Sequence, residues 1–115
     1  MKRKEIQLLR EVKDYIDGNL SKPILVKELC SIFCINKNKL QSGFQLAFGH
    51  TIHDYVVRQK MQRAADRLKA TTDPLKAIAI EHGYTASQFN TRFKKHFGRP
   101  PKLFRKLFSH LIVLF

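Results

Sequence analysis

Phe89, Phe93 and Phe97 recur every four residues, and no other feature of the chain restricts its fold as tightly. A four-residue apolar period draws one stripe along a helix and cannot alternate across a strand. Ahead of it, Leu75, Ile78, Ala79 and Tyr84 are apolar at helical and turn spacing. Gly83 lies just past that first segment, where a positive backbone angle is easiest for glycine. Thr85 followed by Gln88 fits a capping box that opens the next helix. Residues 75–98 therefore predict a short helix, a tight turn and a second helix with a basic end.

The same frame occurs earlier. A shift of 49 residues places Leu29 on Ile78, Cys30 on Ala79, Ile35 on Tyr84 and Leu40 on Phe89. It also places Phe44 on Phe93, Phe48 on Phe97 and Gly49 on Gly98. Identity is low, but the apolar frame is kept throughout. One structural unit is used twice. Helix, glycine-containing turn and helix with a basic end is the helix-turn-helix arrangement, whose second helix enters the DNA major groove.

The rest of the chain supplies further helices. Residues 5–18 carry Ile6, Leu9, Val12 and Ile16 on one side, and Gly18, Asn19 and Pro23 close that segment. Residues 25–34 form the next helix, with Leu29 and Cys30 inward, and Asn36 caps the one after. Residues 51–70 predict a long connecting helix opened by Thr51 and Asp54. Its apolar face is Ile52, Tyr55, Val56, Met61, Ala64, Ala65 and Leu68. At about 1.5 Å per residue it would span roughly 30 Å, near the ~34 Å between successive major-groove faces. Asp73 and Pro74 read as cap and first-turn proline of the second unit. After Pro100 and Pro101, residues 102–108 begin a last helix with Leu103, Phe104 and Leu107 apolar. The expected fold is all-α: about seven helices in two helix-turn-helix subdomains joined by a long central helix, homeodomain-like. The divisions are 1–49, a connecting helix over 50–71, 72–108, and an apolar tail over 109–115 that covers core surface or docks another domain or subunit.

Charge narrows the function. Lys and Arg number 22 against 9 acidic residues, a formal charge of +13. That balance calls for an anionic partner, nucleic acid first and an acidic membrane surface second. No apolar run is long enough to span a bilayer and no signal peptide opens the chain, so cytoplasmic location is expected. Cys30 and Cys34 lie four apart on a predicted helix, poor disulfide geometry without further zinc ligands; both read as core packing. His50 and His53 lack neighbouring ligands, so no metal or cofactor is expected. The nine carboxylates form no convergent pair, and no phosphate loop, GxSxG or HExxH is present. An enzyme is not expected.

The run GYTASQFNTRFKKHFGRPPKLFR, with the earlier repeat at family spacing, closely resembles the closing signature of AraC/XylS-type transcriptional regulators. The resemblance covers roughly residues 5–105. It implies one monomer that places two recognition helices in adjacent major grooves of a promoter, with RNA polymerase as a partner. Many family members carry this module after an effector-binding domain, so this chain is either a fragment of such a regulator or a small stand-alone activator.

Helical geometry sorts the candidate contacts. With the phenylalanine stripe inward, Ser87, Thr91, Lys94 and Lys95 point away from it, and Gln88 and Asn90 flank that outer face. Ser87, Gln88, Asn90 and Thr91 are the base-reading candidates; Lys94, Lys95 and Arg99 are phosphate candidates. Arg92 and His96 lie nearer the core edge. In the first unit, Asn38, Gln41 and Ser42 match positions that read bases in the family, and Lys37 and Lys39 are phosphate candidates. The family's basic pair after the phenylalanine is Gln45 and Leu46 here, which weakens phosphate anchoring in that unit. The second unit's turn is one residue shorter than usual in the family, and Thr91 stands where its arginine is common. A cationic protein- or membrane-interaction module without sequence reading is the competing function.

Overall fold

The computed structural model describes residues 2–114, with side chains from Lys2 to Ser109. Seven helices make up its regular structure: α1 (Arg3–Gly18), α2 (Val26–Phe33), α3 (Lys37–Phe48), α4 (Ile52–Ala70), α5 (Leu75–Glu81), α6 (Ala86–Phe97) and α7 (Pro101–Leu114). No strand occurs among the described residues. The chain divides into two compact units, Met1–Gln59 and Lys60–Phe115, so α4 gives its first half to one and its second half to the other.

In the first unit, α1 turns Leu9, Val12 and Ile16 onto a core that also holds Leu29, Leu40, Phe44, Ile52 and Tyr55. Phe44 is the hub, with ring centroids 4.9 Å from Phe48 and 5.7 Å from Tyr55. The Tyr55 hydroxyl donates to Asp17 Oδ1 at 2.6 Å, tying α4 to α1. In the second unit, Ile78, Ala79, Phe89 and Phe93 are buried, as are Met61, Ala64, Ala65 and Leu68 of α4. Phe93 repeats the hub, 4.6 Å from Phe97 and 5.2 Å from Phe104 of α7. The 49-residue repeat thus reaches beyond the helical pairs: Phe104 is the counterpart of Tyr55, and fully buried Pro101 that of Ile52.

The turns repeat as well. Ile35 N donates to Cys30 O and Tyr84 N to Ala79 O, the six-residue closure that follows a left-handed residue at a helix end. In the second unit that residue is Gly83, with φ 79°; in the first it is Cys34, with φ 51°. Asn36 Oδ1 then accepts from Lys39 N to open α3. Thr85 and Gln88 form a complete capping box at α6. Both recognition-position helices end on left-handed glycines, Gly49 and Gly98.

Several sequence expectations need correction. Asp73 does not cap α5. Pro74 occupies the cap position, and the Asp73 carboxylate instead accepts from Arg67 Nη2 at 2.6 Å. The Arg67 fork also grips both Glu81 oxygens, at 2.7 and 2.9 Å, and this stronger charge-assisted pairing takes Asp73 out of the cap. The cysteines are not both core residues: Cys30 is half-buried and Cys34 exposed, because Cys34 leaves the helix into the left-handed turn. In α7, Leu103 is 41% exposed, and Pro101 takes the buried place. The last helix, which the sequence begins over 102–108, spans Pro101–Leu114. The side chains of residues 110–115, on which the expectation of an apolar tail rests, lie outside the described set.

Candidate nucleic-acid interface

The buried stripes fix which way each recognition-position helix faces. Phe89 and Phe93 hold one side of α6 in the core, so the opposite side is solvent-facing by construction. Ser87, Gln88, Asn90, Thr91, Lys94, Lys95 and Arg99 are all exposed. On α3, Leu40 and Phe44 play the same part, and Lys37, Asn38, Lys39, Gln41 and Ser42 are exposed. The geometry thus leaves every candidate side chain accessible.

Two details change what these faces can do. Gln88 Oε1 accepts from Thr85 N at 3.0 Å within the capping box. A bidentate contact to adenine needs both the amide oxygen and the amide nitrogen. Only the nitrogen side of Gln88 remains open, whereas Asn90 carries no such commitment. On α3, Leu46 stands 76% exposed near the centre of the outward face, in the position that Lys95 holds on α6. An exposed leucine there offers apolar contact and no charge.

Charge follows the same division. Residues 60–115 carry twelve Lys and Arg against three acidic residues, and residues 1–59 carry ten against six. The second unit thus carries the larger net positive charge, and the first is the more nearly neutral one. Beside α3 runs a groove of about 390 Å³ lined by Glu5, Leu8, Cys34, Ile35, Lys39 and Leu46 among others. It mixes an acid, a base and apolar walls and shows no convergent polar set.

Sequence reasoning left out Lys60 and His82 altogether. Lys60 is half-buried beside Tyr84, and its ammonium lies 5.3 Å from the ring centroid. Only the register of α4 could have signalled that. His82 is buried, and its Nδ1 donates to Ile78 O at 2.7 Å, a satisfied structural contact. Among the described residues no group of His, Cys, Asp and Glu could hold a metal ion. Among them, too, no helix is long and apolar enough to cross a membrane.

Comparison with known proteins places this geometry. The profile of a helix-turn-helix domain family matches residues 29–107. The chain is 36% identical over 102 residues to the Bacillus subtilis protein described as the uncharacterized HTH-type transcriptional regulator YfiF, covering 89% of this chain and 32% of that one. It is 30% identical over 98 residues to the multiple antibiotic resistance protein MarA of Escherichia coli, covering 84% of this chain and 77% of MarA. The chain therefore spans about a third of the first relative and most of the second. In structure it is similar to a Chromobacterium violaceum transcriptional regulator of the proteins containing AraC-type DNA-binding domains, with TM-score 0.83, 18% identity, and 90% and 93% of the two chains covered.

Proposed function

The chain belongs to the AraC/XylS-type family of helix-turn-helix transcription regulators, and on that footing we propose that it binds double-stranded DNA sequence-specifically to regulate transcription. In this reading α3 and α6 each enter a major groove, the two grooves being adjacent on one promoter site. The observation that carries it is the doubled architecture: two capped helices, each pinned by a buried apolar stripe (Leu40 and Phe44, Phe89 and Phe93), each turning an exposed, mostly polar face outward. Side chains held on rigid elements can read base edges with little ordering cost at binding.

The residue roles follow from chemistry. Ser87, Asn90, Thr91, Asn38, Gln41 and Ser42, with Gln88 through its free amide nitrogen, read bases. Lys94, Lys95, Arg99, Lys37 and Lys39 neutralise phosphates and set the salt dependence. The charge division between the units supports an anchoring role for α6 and a weaker hold for α3. RNA polymerase is the proposed protein partner, an effector-binding domain the proposed source of regulation, and the cytoplasm the proposed location. Family and fold are those of DNA-binding transcription regulators, and no catalytic role is proposed.

Selection from random duplex DNA, followed by sequencing and a salt titration of the winner, tests the reading. Two half-sites about one helical turn apart would support two reading helices. One half-site would limit sequence reading to a single unit. Salt-sensitive binding to every duplex without enrichment would overturn sequence-specific reading.

A further inference from the structure

At the mouth of α6, two cations hold one aromatic ring between them. Lys60 Nζ lies 5.3 Å from the Tyr84 ring centroid and Arg92 Cζ lies 5.5 Å from it. Lys60 comes from α4, Tyr84 from the α5–α6 turn and Arg92 from the second turn of α6, all within the second unit. Among the described residues, neither Lys60 nor Arg92 takes part in an ion pair with a carboxylate, unlike Arg67 on the same helix as Lys60. A ring face returns about 0.5–1 kcal/mol to an exposed cation. That does not remove the repulsion between two positive charges facing the same ring. Burial first, and then the Arg92 charge, lower the Lys60 pKa from its ordinary value. Burial raises that of the Tyr84 hydroxyl, so the ring stays neutral between the two cations. Among the described residues the cluster is positive charge without a carboxylate partner, both cations lying against one ring.

Its position on α6 matters equally. At about 100° per residue, Gln88, Arg92 and Lys95 fall on one flank of the helix, beside the outward face. A helix lying in the major groove meets phosphates along its flanks and base edges along its outer face. We propose that Lys60 and Arg92, braced by Tyr84, form a preorganised clamp for one backbone phosphate of the duplex that α6 reads. This rests on the proposed DNA binding and adds a phosphate contact from α4, an element outside the helix-turn-helix pair. The Arg92 guanidinium can take two phosphate oxygens side by side, and the Lys60 ammonium adds a point charge. A phosphodiester supplies the single negative charge that the cluster lacks.

The test is the salt dependence of duplex binding for the full chain and for Lys60→Met, Arg92→Met and the double variant. Helical circular dichroism and melting temperature are recorded for each, with Lys60→Gln and Arg92→Gln as replacements should a methionine variant unfold. The clamp requires the slope of log K against log salt to fall in magnitude in each single variant and by about 0.9, the share of one phosphate, in the double; a fall of about 1.8 in the double would mean two separate phosphate contacts and overturn the shared site. Affinity should drop by a similar factor on preferred and scrambled duplexes. Tyr84→Phe keeps the ring and should keep the slope, whereas Tyr84→Leu should lower it. Slopes equal to the parent's in folded single variants overturn the clamp and leave the DNA reading intact. A fall for Arg92→Met alone overturns the paired site. A parent chain that binds no duplex overturns both.

Discussion

Cys34 occupies in the first repeat the place that Gly83 occupies in the second, and both have left-handed backbone, φ 51° and 79°. Glycine takes that conformation freely, while a side chain pays roughly 1–2 kcal/mol for it. Part of the gain from a glycine is returned through its freer unfolded chain, about 0.5–1 kcal/mol. Cys34→Gly should therefore stabilise the first unit by about 0.5–1 kcal/mol and raise its melting midpoint by a few degrees. Cys34→Ala keeps the strain and should leave the midpoint near the parent's. Thermal melts followed by circular dichroism check both, and a lower midpoint for the glycine variant would sink the argument.

Tyr55 gives the first unit an alkaline limit. Burial, then the hydrogen bond to Asp17 and the charge of that carboxylate, raise its pKa well above the ordinary tyrosine value. A group whose folded pKa is raised contributes stability in full below its unfolded pKa of about 10 and loses it as pH rises further. Tyr84, also raised by burial, adds a loss of the same sign. Tyr55→Phe should cost about 1 kcal/mol at neutral pH, the value of one hydroxyl hydrogen bond. Above roughly pH 10 the gap between parent and variant should narrow, and denaturant titrations at pH 7 and pH 11 would show it. A constant gap would mean that the bond adds nothing to the shift.

The helices were legible because their signals are local. A four-residue stripe ending at Gly98, a Thr85–Gln88 box and an Asn36 cap each lie within a few residues, and the structure places all three as read. The left-handed turn at Cys34 was less so. Nothing in a cysteine announces positive φ, although the 49-residue register pairs it with Gly83. Asp73 failed for a different reason. Its carboxylate goes to Arg67, whose aim depends on the direction of α4 and not on the neighbours of Asp73. Lys60 and Arg105 act across 24 and 37 positions respectively, on Tyr84 and Leu68, and no short window contains such pairs. For the interface, periodicity predicts which residues face outward, whereas the Gln88 commitment to its own cap emerges only from the side-chain geometry.

Arg105 closes the second unit from the α7 side. Its Nε donates to Leu68 O at 3.3 Å and its Nη1 to Asp73 O at 2.7 Å, satisfying one carbonyl of the last turn of α4 and one in the following loop. Its Nη2 is buried without a partner, which offsets part of that gain. Arg105→Met should destabilise the unit by about 1–2 kcal/mol. Arg105→Lys should recover little, because one ammonium cannot span two carbonyls set for a planar fork. Melting both variants beside the parent decides it; full rescue by lysine would show that charge, and not the fork, matters.

Leu46 is the residue that most separates the two reading helices. It stands 76% exposed on α3 where Lys95 stands on α6. If the outward faces bind DNA alike, the missing charge is a missing phosphate contact. Leu46→Lys should then steepen the salt slope by about 0.9 and tighten binding to every duplex by a similar factor. The folded state should be little affected, because the side chain is largely exposed. The opposite outcome has a chemical meaning as well. Leucine can pack against a thymine methyl group, the apolar mark of an A·T pair in the major groove. A lysine variant that loses preference at one A·T position without gaining general affinity would make Leu46 a base reader, and α3 a helix that trades anchoring for apolar readout. Competition binding against duplexes substituted one base pair at a time, at two salt concentrations, separates the two outcomes.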